Sequence, residues 1–385
     1  MNEWIKNYLN NYSIPKIIYD LDVIKQKLLF IREASKAYNI NILFAVKSFP
    51  HPKILSLICS YVDGFEISNI REYSLLPKND SYKFISVNDP TINLKDIPIY
   101  TSDNHKTIYY NLDYIDDSVI DELLILNHNN ANIKFGIRLS HTELGISSQY
   151  YRTGIESSRF GINLEKTREI IKENKIISGL HLHNGSEINN VESYLLIANK
   201  MIAFLEENNF NVSYINFGGG LHTLSDNEIL ILFMELNNIV PEKWKIYFEP
   251  GHLFSANAGY AIAKIAHIKE VGLERYIVTT DMSYECSLKW SIPKYYPLQI
   301  SSFEKCVDVS FYGSTCYEHD LILRCKIDFD NFRQHIVKDK LVIFNNINGY
   351  ALAWSHSFNG IAKAKIYFHD SSIQCTKKMQ RFCSL

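Results

Sequence analysis

Ile42-Leu43-Phe44-Ala45-Val46-Lys47-Ser48 is the stretch from which the fold can be worked out. It is a short apolar run, and the two prolines in Phe49-Pro50-His51-Pro52 follow it, so it predicts a buried strand that stops there. A lysine at the end of such a strand is unusual, because lysine is seldom buried without a partner. Desolvation would lower the pKa of Lys47 toward the range in which the neutral amine is a nucleophile. The alternative is an amine that reaches solvent at the strand end.

Length and composition limit the classes of protein to consider. The chain has 385 residues, too many for one ordinary core, so two domains are expected. Its net charge of −2 argues against nucleic acid or an anionic membrane as a partner. No apolar run is long enough to span a bilayer, and the first residues lack a signal-peptide pattern. Seven cysteines without a C-x-x-C pair predict reduced thiols in a cytoplasmic protein rather than a disulfide framework or a zinc site.

Strand-like and helix-like segments alternate through the first two thirds of the chain. We predict eight strands, near 42–48, 62–68, 82–87, 97–102, 133–140, 177–183, 214–217 and 246–249, with helices between most of them. The clearest helix start is the capping box that runs from Ser225 to Glu228. This pattern predicts an α/β fold, a (β/α)8 TIM barrel over 20–255. A doubly wound open sheet is the alternative, but no G-x-G-x-x-G follows the first strand.

The pattern changes beyond about residue 255. Short strand-like runs with turns between them, such as 276–280, 320–324 and 340–344, predict a β-rich domain over 256–385. Residues 1–19, a short helix and then a strand at 16–19, are expected to join it. The polar, basic stretch 371–385 is expected to be a loose tail.

Residues whose side chains or backbone could take part in catalysis or binding fall at the carboxyl ends of the predicted barrel strands, where barrel enzymes have their active sites. They are Lys47 after the first strand, Glu66 and Ser68 at the second, His181 and His183 at the sixth, Gly218-Gly219-Gly220 after the seventh and Glu249 after the eighth. A plain tight turn would explain the glycines, and a core position would explain one of the histidines. A metal site would need Glu249 and His252 to complete the ligand set, so it is the weaker hypothesis and no metal is expected. Together these residues provide a lysine, a turn whose amides can approach a phosphate, a flat ring and a carboxylate. This combination suits pyridoxal 5'-phosphate (PLP).

Six motifs in chain order resemble those of the fold-type III PLP-dependent decarboxylases, the group of ornithine, diaminopimelate and carboxynorspermidine decarboxylases. They are 44–50 (FAVKSFP), 179–186 (GLHLHNGS), 216–220 (NFGGG), 248–251 (FEPG), 313–316 (GSTC) and 358–361 (FNGI). The resemblance covers residues 16–366. It implies a barrel of the alanine racemase type that binds PLP, followed by a β-rich domain.

Roles for individual residues follow from the resemblance. It implies that Lys47 holds PLP, that His183 stacks on the ring and that Glu249 keeps the ring nitrogen protonated. The residues implied for the phosphate are Ser186, Gly218, Gly219, Gly220 and Tyr350. Cys316 resembles a residue that the family supplies from the partner subunit to handle protonation after carbon dioxide leaves, which implies a head-to-tail homodimer with two shared sites.

Departures from the family pattern bear on the substrate. His252 stands where diaminopimelate decarboxylases usually have arginine, and Tyr317 stands where an acidic residue usually follows the cysteine. Stretches 257–260, 281–283 and 290–297 are more similar to carboxynorspermidine decarboxylases, although that branch does not usually have Asn-Gly-Ser after its histidine. We expect His252, Tyr317 and Asp281 to contact the substrate. The resemblance implies decarboxylation of an amino-carboxypropyl-type group to an aminopropyl group, on a carboxynorspermidine-like polyamine or on a peptide-nucleotide antibiotic of the microcin C type.

Four alternatives stay open. The first is a decarboxylase of a free amino acid such as diaminopimelate. The second is a racemase of the same fold with Tyr350 as a second base, which the Cys316 and 358–360 motifs disfavour. The third is a non-catalytic PLP-binding protein, for which residues 256–385 would be superfluous. The last is a metal-dependent barrel hydrolase.

Overall fold

The computed structural model describes residues 3–11, 15–140, 158–173, 176–183, 185, 188–298 and 305–372. The chain forms two compact units: a barrel unit, residues 27–254, and a sheet unit, residues 1–26 together with 255–385. The described strands are β1 (Lys16–Asp20), β2 (Ile40–Ala45), β3 (Gly64–Ile67), β4 (Phe84–Val87), β5 (Thr107–Leu112), β6 (Ile133–Arg138), β7 (Ile177–His181), β8 (Tyr214–Asn216), β9 (Lys245–Phe248), β10 (Gly259–Gly272), β11 (Arg275–Thr280), β12 (Lys294–Tyr295), β13 (Cys306–Tyr312), β14 (Leu321–Asp328), β15 (Leu341–Ile347) and β16 (Lys365–His369).

The helices are mostly short. In the described residues they are α1 (Glu3–Asn11), α2 (Leu21–Ala37), α3 (Pro52–Ile58), α4 (Ile70–Tyr73), α5 (Ile97–Tyr100), α6 (Asp117–Asn129), α7 (Leu164–Glu173), α8 (Val191–Glu207), α9 (Asp226–Ile239), α10 (His252–Ser255), α11 (Phe329–Asn331) and α12 (Tyr350–Ala353). Of the longer ones, α2 precedes the first barrel strand, and α6, α7, α8 and α9 lie between barrel strands. None of those described combines the length and the apolar character that a bilayer-spanning helix requires.

The barrel unit is a closed barrel of parallel strands. Strands β2 to β9 pair in sequential order, and β2 pairs with β9 to close the ring. Leu43, Tyr109, Tyr214 and Tyr247 come from β2, β5, β8 and β9 and pack into one cluster, which fills part of the barrel interior. Tyr109 and Tyr247 share a hydrogen bond of 2.7 Å, which satisfies two buried hydroxyls. The predicted barrel is confirmed, and the open-sheet alternative is wrong.

One predicted strand is wrong. Residues 97–102 include α5, and the fourth barrel strand is β5, Thr107–Leu112. Pro98 lies in the first turn of α5, where its missing N–H costs no hydrogen bond. Strand β5 is rich in β-branched and aromatic residues, which favour a buried strand. The other seven predicted strands overlap observed barrel strands.

Side-chain caps set where the helices after β7 and β8 begin. Asn190 accepts a hydrogen bond from the Ser193 N–H at 2.8 Å, and α8 starts there. The predicted capping box at α9 is present: the Ser225 hydroxyl accepts from the Glu228 N–H at 3.3 Å, and the Glu228 carboxylate accepts from the Ser225 N–H at 2.7 Å. The loop between β8 and α9, residues 217–225, therefore contains the three glycines.

The sheet unit is built around one large sheet. Its strands follow the order β12-β15-β10-β11-β13-β14, and β1 joins by pairing with β10 and β16. Helix α1 packs Ile5 and Tyr8 against Ile18, Ile262 and Ile343. The early residues therefore belong to the sheet, and the predicted second, mainly β domain is confirmed. Of the predicted tail, residues 373–385 lie outside the described residues.

Candidate active site

Lys47 lies in a short 3₁₀ turn, Val46–Ser48, directly after β2. Its side chain is 45% exposed, and its amine pairs with the carboxylate of Glu66, a fully buried residue of β3. Neither alternative drawn from the sequence describes this fully: the side chain is partly exposed, but its amine contacts a buried carboxylate.

Glu249 lies directly after β9 and is buried. Its carboxylate accepts hydrogen bonds from Asn216 Nδ2 at 2.7 Å, Asn88 Nδ2 at 2.9 Å and His181 Nε2 at 3.1 Å. Burial opposes ionisation, but the charge of His181 and its hydrogen bond, with smaller contributions from Ser86 and Lys47, outweigh burial and hold the pKa of Glu249 below its ordinary value. Glu249 is therefore an anion that can face a cation or an N–H group.

His183 is held as a neutral ring. Burial, and next the positive charge of Arg138, lower its pKa well below the ordinary value. Its Nδ1 accepts a hydrogen bond from the Gly219 N–H at 3.1 Å, so the ring proton is on Nε2. Arg138 was missed in the sequence, although a charged residue ending the apolar strand β6 was an available signal. It forms an ion pair with Asp113 at 3.3 Å.

The glycine turn after β8 can be built only with small residues. Gly218 and Gly220 have φ of 67° and 114°, in the region that favours glycine. A Cβ on Gly219 would lie 3.2 Å from both the Glu249 carbonyl oxygen and His183 Cε1. Among the described residues, no group accepts a hydrogen bond from the Gly220 N–H. The Gly220 N–H of this turn is therefore available to an anion, and a side chain on the turn would crowd it.

A second histidine pair flanks this turn. The rings of His222 and His252 stack with centroids 4.2 Å apart, which joins the loop after β8 to the start of α10. Burial, and then the charge of His222, lower the pKa of His252 to about 4, and burial also lowers that of His222. The sequence analysis missed His222. The signal was a histidine two residues after a glycine turn, with His252 at the matching place after the next strand.

Cys316 and Tyr317 lie on a loop, residues 313–320, of the sheet unit. The buried carboxylate of Asp320 closes this loop by accepting from the Thr315 hydroxyl at 2.7 Å, and a Cβ on Gly313 would lie 2.2 Å from it. Cys316 is exposed, and its Sγ lies 3.2 Å from Oδ1 of Asn359. The sheet unit therefore joins the cysteine motif to the 358–361 motif.

The remaining predicted residues have different surroundings. Asp281 is in the sheet unit, and its Oδ1 accepts from the Lys264 N–H at 2.8 Å. Tyr350 begins α12 of the same unit, and its N–H donates to Asn348 Oδ1 at 2.9 Å. Ser186 lies outside the described residues. Within the described residues, one group of three potential metal ligands is close enough to share an ion, and it includes none of the predicted site residues: Asp20, Asp22 and His369.

The structure therefore brings part of the predicted set together. The residues that meet in the barrel unit are Lys47, His183, Gly218, Gly219, Gly220, Glu249 and His252, whereas Cys316, Tyr317, Asp281 and Tyr350 belong to the sheet unit. Asn88, like Arg138 and His222, was not predicted from the sequence. Its side-chain amide donates to both Glu66 and Glu249, and its place at the end of β4 was the available signal.

Comparison with known proteins supports the same chemistry. Residues 21–256 match the family described as "Pyridoxal-dependent decarboxylase, pyridoxal binding domain". The diaminopimelate decarboxylase of Aquifex aeolicus is 21% identical, over 98% of this chain and 92% of that protein. The solved diaminopimelate decarboxylase of Helicobacter pylori, complexed with L-lysine, has a TM-score of 0.76 at 17% identity and covers 95% of this chain and 94% of its own. The carboxynorspermidine decarboxylase of Campylobacter jejuni, complexed with norspermidine, has a TM-score of 0.69 at 18% identity and covers 93% and 94%.

The cofactor that this match implies is PLP, and the residues of the barrel unit fit it. The glycine turn has a backbone amide, that of Gly220, from which no described group accepts, and such an amide suits a phosphate. Glu249 is a buried anion suited to a protonated ring nitrogen, and Lys47 presents a primary amine at a strand end. When bound, PLP supplies the electron sink that takes up the bonding electrons of a departing carboxylate.

Proposed function

Because the chain belongs to the family of pyridoxal-dependent decarboxylases, we propose that it removes the α-carboxylate of an amino-carboxypropyl-type group and leaves an aminopropyl group. The group is carried by a larger body, either a carboxynorspermidine-like polyamine or a peptide-nucleotide of the microcin C type. The observation that carries this proposal is the uncharged, 46% exposed Tyr317 directly after Cys316. Substrate contacts by Tyr317, His252 and Asp281 are part of the proposal.

The residue directly after Cys316 is the uncharged Tyr317, although Glu318 follows it, and an uncharged residue there disfavours a compact free diamino acid. Diaminopimelate and ornithine carry charge at their distal ends, and a buried distal ammonium requires a charged or strongly polar partner. The buried carboxylate of this loop, Asp320, already accepts from Ser283 Oγ at 3.0 Å and from Thr315 Oγ1. An aromatic side chain at position 317 instead suits an extended or aromatic body.

Within the barrel unit, each residue has a distinct part in the proposed reaction. Lys47 would anchor the cofactor, and its amine is held by the contact with Glu66. Glu249, ionised at any physiological pH, holds the ring nitrogen protonated. His183 packs as a neutral ring, and the glycine turn takes the phosphate, with Ser186 and Tyr350 as further proposed contacts.

Cys316 is proposed to return a proton to the substrate carbon after carbon dioxide leaves. Asn359 Oδ1 lies 3.2 Å from the sulfur and accepts its hydrogen, so the thiol is held in a defined direction. We place this cysteine in the site of the partner subunit of a homodimer. Trp290 and Trp354, in the same unit, are more than half exposed with ring centroids 5.8 Å apart, which supports coverage by a second copy.

A cytoplasmic location is proposed with this function. It rests on the free thiols of Cys59, Cys286, Cys316 and Cys325, because oxidising compartments favour paired cysteines.

The test is carbon dioxide release from a panel of substrates. The panel contains carboxynorspermidine, an amino-carboxypropyl peptide-nucleotide, meso-diaminopimelate, L-ornithine and L-lysine, and PLP is present throughout. We expect one of the two conjugates to have a kcat/KM at least about 100-fold above every free diamino acid, since two or more lost contacts cost about 3 kcal/mol. Comparable or faster turnover of a free diamino acid would refute the proposal.

The second candidate is a diaminopimelate decarboxylase. The observation that favours it is the 21% identity, across 98% of this chain, to a protein of that name. The same panel distinguishes the two, because formation of L-lysine from meso-diaminopimelate belongs to this candidate alone.

A further inference from the structure

The side chain of Asn88, directly after β4, contacts two buried carboxylates at once. Its Nδ2 donates to Glu66 Oε1 at 3.2 Å and to Glu249 Oε2 at 2.9 Å. Glu66 is 0% exposed and Glu249 is 4% exposed. A primary amide carries two N–H groups on one nitrogen, so Asn88 gives one hydrogen to each carboxylate.

The orientation of the Asn88 amide is fixed by the side chains behind it. Its Oδ1 accepts from Asn111 Nδ2 at 2.9 Å, and Asn111 Oδ1 accepts from the Tyr214 hydroxyl at 2.8 Å. Burial raises the pKa of Tyr214 well above its usual value, so this hydroxyl stays a donor. Every hydrogen bond in this series is therefore donated in the same direction: from Tyr214 to Asn111, from Asn111 to Asn88, and from Asn88 to the two carboxylates.

The two carboxylates serve opposite ends of the candidate site. Glu66 pairs with Lys47, and Glu249 is the proposed partner of the ring nitrogen. Two like charges in a region of low dielectric repel each other unless donors offset the repulsion. Asn88 lies between them and donates to both.

We propose that Asn88 is a positioning residue that donates to Glu66 and Glu249 at once, offsets negative charge on both and thereby couples the lysine end of the site to the ring-nitrogen end. Replacing the Asn88 side chain makes the electrostatic potential of Glu66 at the Lys47 nitrogen more negative. The Lys47 nitrogen then holds its proton more strongly. This inference rests on the cofactor and not on the identity of the substrate, so it stands or falls separately from the proposed substrate class.

The experiment compares Asn88→Ala with Asn216→Ala, which in addition removes the acceptor of the Gly218 N–H. Each loses an amide that donates to Glu249, but only Asn88→Ala also loses a donor to Glu66. The readout is the pH titration of the visible absorption band of the PLP-loaded enzyme, normalised to bound cofactor, which follows the Lys47 nitrogen without any substrate. We expect Asn88→Ala to raise that pKa by about 1, the size of one hydrogen bond to a charged group. Asn216→Ala should raise it by less than about a third as much.

A double-variant cycle separates coupling from general damage. In a Glu66→Gln background, Asn88→Ala should no longer move the pKa, because the group through which it acts has been neutralised. Asn88→Leu keeps the side-chain size but donates to neither carboxylate, so it should raise the pKa as Asn88→Ala does, and it serves if Asn88→Ala does not fold. Equal shifts from Asn88→Ala and Asn216→Ala, or a shift that persists without the Glu66 charge, would overturn the proposal. An Asn88→Leu enzyme with the wild-type titration would also overturn it.

Discussion

Glu66 and Glu249 show how single residues set the chemistry of this barrel. A buried carboxylate costs several kcal/mol unless a cation or several donors compensate it. Glu66 is compensated by Lys47, and Glu249 by the side chains of Asn88, His181 and Asn216. Since Lys47 is both the partner of Glu66 and the proposed cofactor anchor, its replacement should have two separable effects.

The first prediction separates these effects of Lys47. Lys47→Ala removes the amine, so the visible band of bound PLP should disappear and carbon dioxide release should fall by at least about 10⁴-fold. Absorption spectroscopy and a decarboxylase assay measure the two losses. Lys47→Arg is the matched control, because it returns a positive charge to Glu66 without a primary amine. It should be equally inactive but have a higher melting temperature than Lys47→Ala. Near-normal turnover by Lys47→Arg would contradict the anchor assignment.

The second prediction concerns the stability of the cofactor-free protein between pH 6.5 and 4. The folded-state pKa of His252 is lowered to about 4, so in this range the unfolded chain binds a proton that the folded chain does not. The free energy of unfolding should therefore fall as the pH drops from 6.5 to 4, and this contribution should level off below pH 4. We expect a contribution on the order of 1 kcal/mol, allowing for the partial exposure of the ring.

Urea unfolding at a series of pH values measures this contribution. His252→Gln should flatten the slope between pH 6.5 and 4, because it removes the titrating group. His128→Gln, at an exposed position in α6, is the control and should leave the slope as in the wild type. An unchanged slope in His252→Gln would count against the assigned pKa.

At the scale of elements, local patterns predicted most of the barrel, and long-range contacts account for what they missed. The capping box at Ser225 and seven of the eight strands follow from residues next to one another in the chain. The apolar run at 97–102 misled, because one proline in a first helical turn outweighs strand-like neighbours. Asn88 was missed for a different reason: its partner Glu249 is 161 residues away, and no local pattern records such a pair.

The third prediction tests the glycine turn as an element. Gly219 has no positive φ, so alanine fits its backbone, but the added Cβ would lie 3.2 Å from the Glu249 carbonyl oxygen and from His183 Cε1. We expect Gly219→Ala to weaken PLP binding at least about tenfold, because crowding of this kind costs about 1–3 kcal/mol. Fluorescence titration of the cofactor-free protein with PLP measures the Kd.

Gly272→Ala is the matched control for this turn. A Cβ there meets only the flexible side chain of Arg275, at 3.6 Å, between β10 and β11. Its Kd for PLP should equal that of the wild type. If both variants bind PLP normally, the glycine turn does not hold the phosphate.

At the scale of the whole molecule, the proposed machinery is divided between the two units. Lys47 and Glu249 lie in the barrel unit, and Cys316 with Asn359 lies in the sheet unit. Trp290 and Trp354 form an exposed apolar patch on the sheet unit, and in the proposed homodimer a second copy would bury this patch. If each site takes its lysine from one chain and its cysteine from the other, defects in the two units should complement each other.

The fourth prediction is therefore complementation between inactive subunits. Lys47→Ala and Cys316→Ala homodimers should each be severely impaired. Mixing them in equal amounts under conditions of subunit exchange should restore about a quarter of wild-type activity, because half of the dimers are mixed and each holds one intact site. Mixing Lys47→Ala with Glu249→Gln is the control: both residues lie in the barrel unit, so neither site of the mixed dimer is intact. Native mass spectrometry verifies exchange in both mixtures, and mixed Lys47→Ala/Cys316→Ala dimers without restored activity would place Cys316 outside a shared site.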